Sequence, residues 1–177
     1  QRLVNDLYAL TNADIGAISY HKTKVDLTKL IELESEHFTF LSEEHGLRLH
    51  INLTDKSLII QADASRLKQM VQNILGNSIK YTDAPGDVHI KLRSIQKDKK
   101  YWAELSIEDS SPSVEGLHLE KIFDHLYRVE GSRNRQSGGS GLGLAICKQI
   151  VFAHQGSVHA ARSDLGGLKI TIYLPLA

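Results

Sequence analysis

The segment Gly138–Gly156 reads GGSGLGLAICKQIVFAHQG: glycines and serines first, then a long apolar stretch. A glycine-rich turn that opens a helix presents backbone N–H groups at the positive end of the helix dipole, which suits an anion. A surface turn ahead of a core helix has the same composition, so the loop alone leaves both readings open. A second segment, RLKQMVQNILGNSIKYTD (Arg66–Asp83), sets Asn73, Asn77 and Lys80 at i, i+4 and i+7. On a helix these fall within roughly 60° of each other. Asparagine competes for backbone hydrogen bonds and is a poor interior helix residue, so two on one face invite a function beyond solvation. An amide oxygen is a hard, neutral ligand of the kind Mg²⁺ accepts. Lys80 can meet a phosphate as a point charge, and Tyr81 offers a ring to a base. A third segment, LSIEDSSPSVEGL, ends a run of alternating residues at Asp109. A carboxylate there only accepts hydrogen bonds. It suits the exocyclic amine of adenine and repels the guanine carbonyl. An aspartate that merely begins a turn is the alternative.

Several elements must position these residues. Leu3, Leu7 and Leu10 form a narrow seam on a first helix, Arg2–Ala13. DIGAISYHKTKV then breaks the rhythm as a linker. Asp26 caps a helix carrying Leu27, Leu30, Ile31, Phe38 and Leu41, which Gly46 stops. LRLHINL alternates as a strand, with SLIIQAD as its expected partner. Asp63 caps the asparagine helix, which turns Leu67, Val71, Ile74 and Ser78 inward. DVHIKLRSI and YWAELSIED form a hairpin through QKDKK. A short helix is expected over Leu117–Leu126 and a longer one over Leu142–His154. SVHAARS and LKITIYLP close the chain around DLGG. The sum is an α+β fold, a two-layer α/β sandwich with helices on one face of a mainly antiparallel sheet.

Bulk properties exclude other classes. Among 177 residues, Lys+Arg and Asp+Glu both number 21, so the formal net charge is zero. Neither balance nor aromatic interleaving favours a nucleic-acid binder, and histidine spacing suggests no zinc site. The single Cys147 excludes an internal disulfide and reads as inert core packing. The chain begins without Met and already in helical rhythm, as expected of a piece cut from a longer protein.

The glycine loop is neither of two common phosphate binders. A Walker loop needs Lys after its last glycine, where Leu144 stands. The dinucleotide fingerprint belongs in a first βαβ unit, not late in the chain behind antiparallel strands. Together, however, the motifs resemble the catalytic domain of sensor histidine kinases, a family that shares its ATPase superfamily (GHKL) with gyrase, MutL and the heat-shock chaperone. NILGNSIKYTD looks like its N box, IEDSSPSV its first glycine box, IFDHLYR its F box and GGSGLGLAI its second glycine box. GGLKITIYLP is similar to its closing strand, and RLVNDLYAL to the end of its dimerisation and phosphoacceptor helix.

The resemblance implies the Bergerat ATP-binding fold over 23–177, preceded over 1–22 by a helical stub and linker from that bundle. It implies ATP with Mg²⁺ as ligands. Asn77 would hold Mg²⁺, while Asn73, Lys80 and Tyr81 line the nucleotide and Asp109 reads adenine. Ser111, Ser113 and Val114, Tyr127 and Thr171 would complete the pocket. Arg128, Arg133 and Arg135 would touch phosphates from a lid, and Ser140, Gly141, Leu142, Gly143 and Leu144 would offer N–H groups. Asn73, Asn77, Lys80 and Arg128 would be the catalytic set. The implied partners are the chain's own phosphoacceptor bundle, a second copy in a parent homodimer, and a response regulator. The implied place is the cytoplasmic side of a bacterial inner membrane.

Two departures matter. Ser111 and Ser113 stand where the family has glycines, at about 1 kcal/mol each if φ is positive. That admits a degenerate, non-catalytic nucleotide-binding or scaffolding module as the alternative. Asn73 stands where water-activating relatives place Glu. An amide cannot take a proton, so water attack should be slow, whereas neutral imidazole is already a nucleophile. None of the nine histidines sits in the family's acceptor motif. The isolated chain incubated with radiolabelled ATP is therefore expected to form no acid-labile phosphohistidine, and labelling of the chain itself would contradict this.

Overall fold

The computed structural model describes residues 19–110, 112, 116–127 and 141–177. The predicted helix over Arg2–Ala13 lies outside them. β1 (Thr23–Asp26) leads into α1 (Leu27–Glu44), whose first turn Asp26 caps by accepting from the Lys29 N–H. β2 (Leu47–Leu53) and β3 (Ile59–Ala62) follow, then α2 (Ala64–Tyr81), the asparagine helix. β4 (Gly86–Lys97) and β5 (Lys100–Ser110) form the long hairpin. α3 (Gly116–Leu119) is a single turn, and α4 (Gly143–Ala153) precedes β6 (Ser157–Arg162) and β7 (Gly166–Pro175).

Five strands form one sheet in the order β2-β4-β5-β7-β6. Only β2 and β4 run parallel; the other pairs are antiparallel. Strand alternation divides the sheet into two unlike faces. Val88, Ile90 and Leu92, Ala103, Leu105 and Ile107, and Ile170, Ile172 and Leu174 point to the helices and are buried. Leu67, Met70, Val71 and Ile74 of α2 and Ala145, Ile146, Ile150 and Val151 of α4 meet them. Their removal from water is the main term that holds the two layers together. The opposite face carries His89, Lys91, Arg93, Glu104, Ser106 and Glu108.

Three expectations are corrected. Thr23–Val25 are strand rather than linker. β3 pairs with β1, not with β2, as a separate two-stranded antiparallel sheet. β2 instead pairs in parallel with β4, with buried Leu47 opposite Gly86. The helix expected over Leu117–Leu126 ends after one turn, and turns carry the chain through Leu126, which takes φ 61°. Among the described residues no helix is long and apolar enough to cross a membrane.

Asp63 joins several parts of this frame. Its carboxylate accepts from the Ser65 and Arg66 N–H groups as the α2 N-cap (3.1 and 3.2 Å) and from the His21 N–H (3.0 Å). Its own N–H donates to His154 Nε2 at the end of α4 (2.9 Å). Asp63→Ala is expected to lower unfolding stability by about 1–2 kcal/mol in denaturant titration; an unchanged midpoint would contradict the role.

Candidate functional site

The site forms where the sheet's apolar face meets one end of α2 and α4. Asn73, Asn77 and Lys80 share one face of α2, all half-buried, with Tyr81 exposed at its end. The Lys80 ammonium lies 5.1 Å from the centre of the Tyr81 ring. Asn73 Nδ2 donates to the Gly143 carbonyl at 3.3 Å. That bond ties the asparagine helix to the first residue of α4. Leu142, at the N-cap, has no side-chain oxygen with which to cap the helix. Gly141 takes φ +69°, and a Cβ there would stand 2.9 Å from the Leu126 carbonyl carbon. Glycine is required at this contact.

Asp109 sits at the end of β5, the middle strand, on the apolar face. Only 8% of it is exposed. Its Oδ1 accepts from the Leu168 N–H at 2.7 Å, and the Ser78 hydroxyl of α2 also bonds to it. The register explains the first bond. Glu108 pairs with Lys169 and Ser110 with Gly166, so Gly167 and Leu168 together oppose Asp109. This bulge frees the Leu168 N–H from the ladder. A Cβ on Gly167 would come within 2.3 Å of Asp109 Oδ1. Burial pushes the Asp109 carboxyl up to about 6, against the two bonds, which pull it down.

The structure thus brings together Asn73, Asn77, Lys80, Asp109, Gly141 and Gly143 from motifs far apart in the chain. Other expected residues fare differently. The Leu142 side chain is buried in the core, so only its main chain can face a ligand, and Leu144 packs against that core. Tyr127 is half-buried against the core with its hydroxyl on His118 Nδ1. Thr171 is corrected. It pairs with Ser106 and His159 on the sheet's polar face, because it alternates with the core residues Ile170 and Ile172. Ser111, Ser113, Val114, Arg128, Arg133, Arg135 and Ser140 lie outside the described residues. Sequence reasoning missed Ser78, Gly167 and Leu168 as site residues. The paired glycines of DLGG were the available signal, since a bare Cα permits such a close approach. Cys147 is buried, its thiol pushed up to about 12 by that burial, and inert as expected.

Comparison with known proteins places the chain in a family. Residues 62–177 match the model of the family described as histidine kinase-, DNA gyrase B- and HSP90-like ATPase. The chain belongs to this family. It is 46% identical over 175 residues to the signal transduction histidine-protein kinase BaeS of Escherichia coli K12, covering 99% of this chain and 36% of that protein. It is 32% identical to the sensor histidine kinase WalK of Bacillus subtilis 168, covering 98% and 28%. The chain therefore spans about a third of these relatives' length. Among solved structures, the mycobacterial sensor histidine kinase MprB superposes with a TM-score of 0.76 at 28% identity, covering 87% of this chain and 98% of that one. Full-length ShkA in complex with AMPPNP gives 0.80 at 26% identity, covering 99% and 36%.

The Asp109 shift has a sign. Its folded value, about 6, lies above its ordinary 3.8. Between those values the folded state holds the extra proton, so stability falls as pH rises and the loss is complete above about pH 6. Asp109→Asn is expected to stabilise the chain at pH 7.5 by up to about 3 kcal/mol, with the gain vanishing towards pH 4. Denaturant titrations at both pH values check this, and a pH-independent difference would contradict it.

Proposed function

We propose that this chain is the ATP-binding catalytic domain of a two-component sensor histidine kinase. The observation that carries the reading is the convergence of Asn73–Gly143 and Ser78–Asp109–Leu168 at one end of the two helices. Asp109 accepts from the adenine amine. Asn77 supplies an oxygen ligand to Mg²⁺, which binds the phosphate chain, and Lys80 adds a point charge. The N–H groups from Gly141 to Leu144 meet phosphate oxygens at the start of α4. Arg128 at the end of the F box, with Arg133 and Arg135 between that box and the second glycine box, adds charge. Ser111, Ser113 and Val114 border the base.

Asn73 donates its amide to the Gly143 carbonyl and cannot take a proton from water. The domain's contribution is alignment and charge stabilisation of an in-line transfer of the γ-phosphoryl group to a histidine on a separate bundle. Residues 1–22 are the end of that bundle and its linker, and 23–177 the catalytic domain. The parent is a homodimer anchored in the bacterial inner membrane, with this domain cytoplasmic. It passes phosphate to a response regulator. Similarity to BaeS supports a BaeR-like regulator and an envelope-stress stimulus.

Calorimetric titration with MgATP tests the reading. Binding in the micromolar to sub-millimolar range is expected, with none for GTP. Asn77→Ala should abolish Mg²⁺-dependent binding. Asp109→Asn should weaken ATP on the order of tenfold to a hundredfold while leaving a folded chain. A folded sample that binds no ATP would favour the scaffolding module.

A further inference from the structure

The polar face of the sheet holds a cluster that the proposed reaction does not use. His50 of β2 and His89 of β4 are direct partners in the parallel ladder, with ring centres 4.5 Å apart. Asp87 stands two residues before His89 and so on the same face. Its Oδ1 lies 2.8 Å from His50 Nε2. One ligand atom from each of the three residues lies within 4.8 Å of the others. A metal with bonds of about 2.0–2.1 Å sets neighbouring ligand atoms about 3.3 Å apart, so modest side-chain rotation closes the set.

We propose that His50, Asp87 and His89 bind a late divalent transition metal, with Zn²⁺ as its representative. Two imidazoles and one carboxylate form a donor set for Zn²⁺, Cu²⁺ or Ni²⁺ and not for Mg²⁺, and solvent completes the coordination. This site is separate from the nucleotide site: Asp109 pairs with Val88, between Asp87 and His89, but points to the other face. The scaffold is prepared. The Asp87 N–H donates to Ser110 Oγ at 3.0 Å, which fixes the start of β4.

Two cations lie close enough to oppose a metal, and both have other places to go. Lys91 is drawn away by Glu108 at 3.0 Å. Arg48 grips both Asp87 oxygens, at 3.0 Å each. Its side chain is 76% exposed, so it swings into solvent at little cost when the metal takes the carboxylate. Arg48 is therefore a competitor for the site, which distinguishes metal binding from a purely structural ion pair.

The test is titration of the metal-free 177-residue chain with Zn²⁺ alone, read by competition with a chromogenic chelator. One Zn²⁺ per chain is expected. His50→Gln and His89→Gln should each weaken binding on the order of a hundredfold, and Asp87→Asn at least tenfold. His159→Gln, an exposed histidine on β6, should leave it unchanged. Arg48→Gln should tighten binding severalfold by freeing Asp87. The proposal is overturned if no stoichiometric binding occurs, if both histidine variants bind like the parent chain, or if Arg48→Gln weakens binding. Circular dichroism of each variant confirms that a loss of binding is not a loss of fold.

Discussion

Asp109 keeps a carboxyl on the apolar side of the middle strand, where burial penalises its charge. Most of the candidate site consists of arrangements that make this tolerable. The bulge at Gly167 and Leu168 aims a backbone N–H at the carboxylate, and the bare Gly167 Cα lets the two strands close over it. Ser78, on the inward face of α2, supplies the hydroxyl. With Ser78 turned to Asp109, Asn73, Asn77 and Lys80 face beside it rather than into the core. One ionisable group thus bonds both to the strand bulge and to the helix, whose rotation the buried Leu67, Met70, Val71 and Ile74 share in fixing.

Its neighbour shows how much the face decides. Glu108 is one residue earlier and equally shielded from solvent. Burial alone would raise it, but Lys91 at 3.0 Å and Lys169 at 3.7 Å hold it below its ordinary value. Asp109 has no cation among its described partners and stays high. Glu108 is satisfied by its own protein and has nothing left to offer a ligand. Asp109 is stabilised only in part, so a ligand amine that donates to it recovers some of the cost of burial.

Much of this was legible in residue order, and the failures have physical causes. Asn73, Asn77 and Lys80 lie on one face of α2, as their helical spacing predicts, and Asp109 near the end of β5, as its alternating run predicts, because both signals are local. Leu142 and Thr171 show how far a motif fixes a side chain. Leu142 lies within the glycine motif, yet its side chain is the apolar anchor that seats α4 in the core. Thr171 lies in a matching strand, but period-two alternation between Ile170 and Ile172 sends it to the far face. The Leu168 contact depends on a one-residue bulge between distant strands, which no local pattern announces. The pairing of β3 with β1 is likewise long-range: four residues of β1 sit too close to a helix cap to look like a strand.

The order of the contacts around α2 and α4 adds a mechanical constraint. The two helices run antiparallel, with Asp63 and His154 joined where α2 begins and α4 ends, and Asn73, midway along α2, bonded to Gly143 at the start of α4. The chain enters at the first of these ends. The Tyr20 ring packs edge-on against His154, the His21 N–H donates to Asp63, and the Lys22 ammonium donates to the Ala153 carbonyl. From Asp63 to Asn73 is about 15 Å of helix, and α4 spans a similar distance. Tyr20, His21 and Lys22 are thus held at the junction of Asp63 and His154, remote from the glycine turn. His154 makes that junction specific. Its Nδ1 faces the Ile150 carbonyl and its Nε2 accepts from Asp63, which requires the neutral ring, and burial lowers its pKa to keep it so. Protonation would place a hydrogen against the Asp63 N–H and open the joint on which both helices are hung.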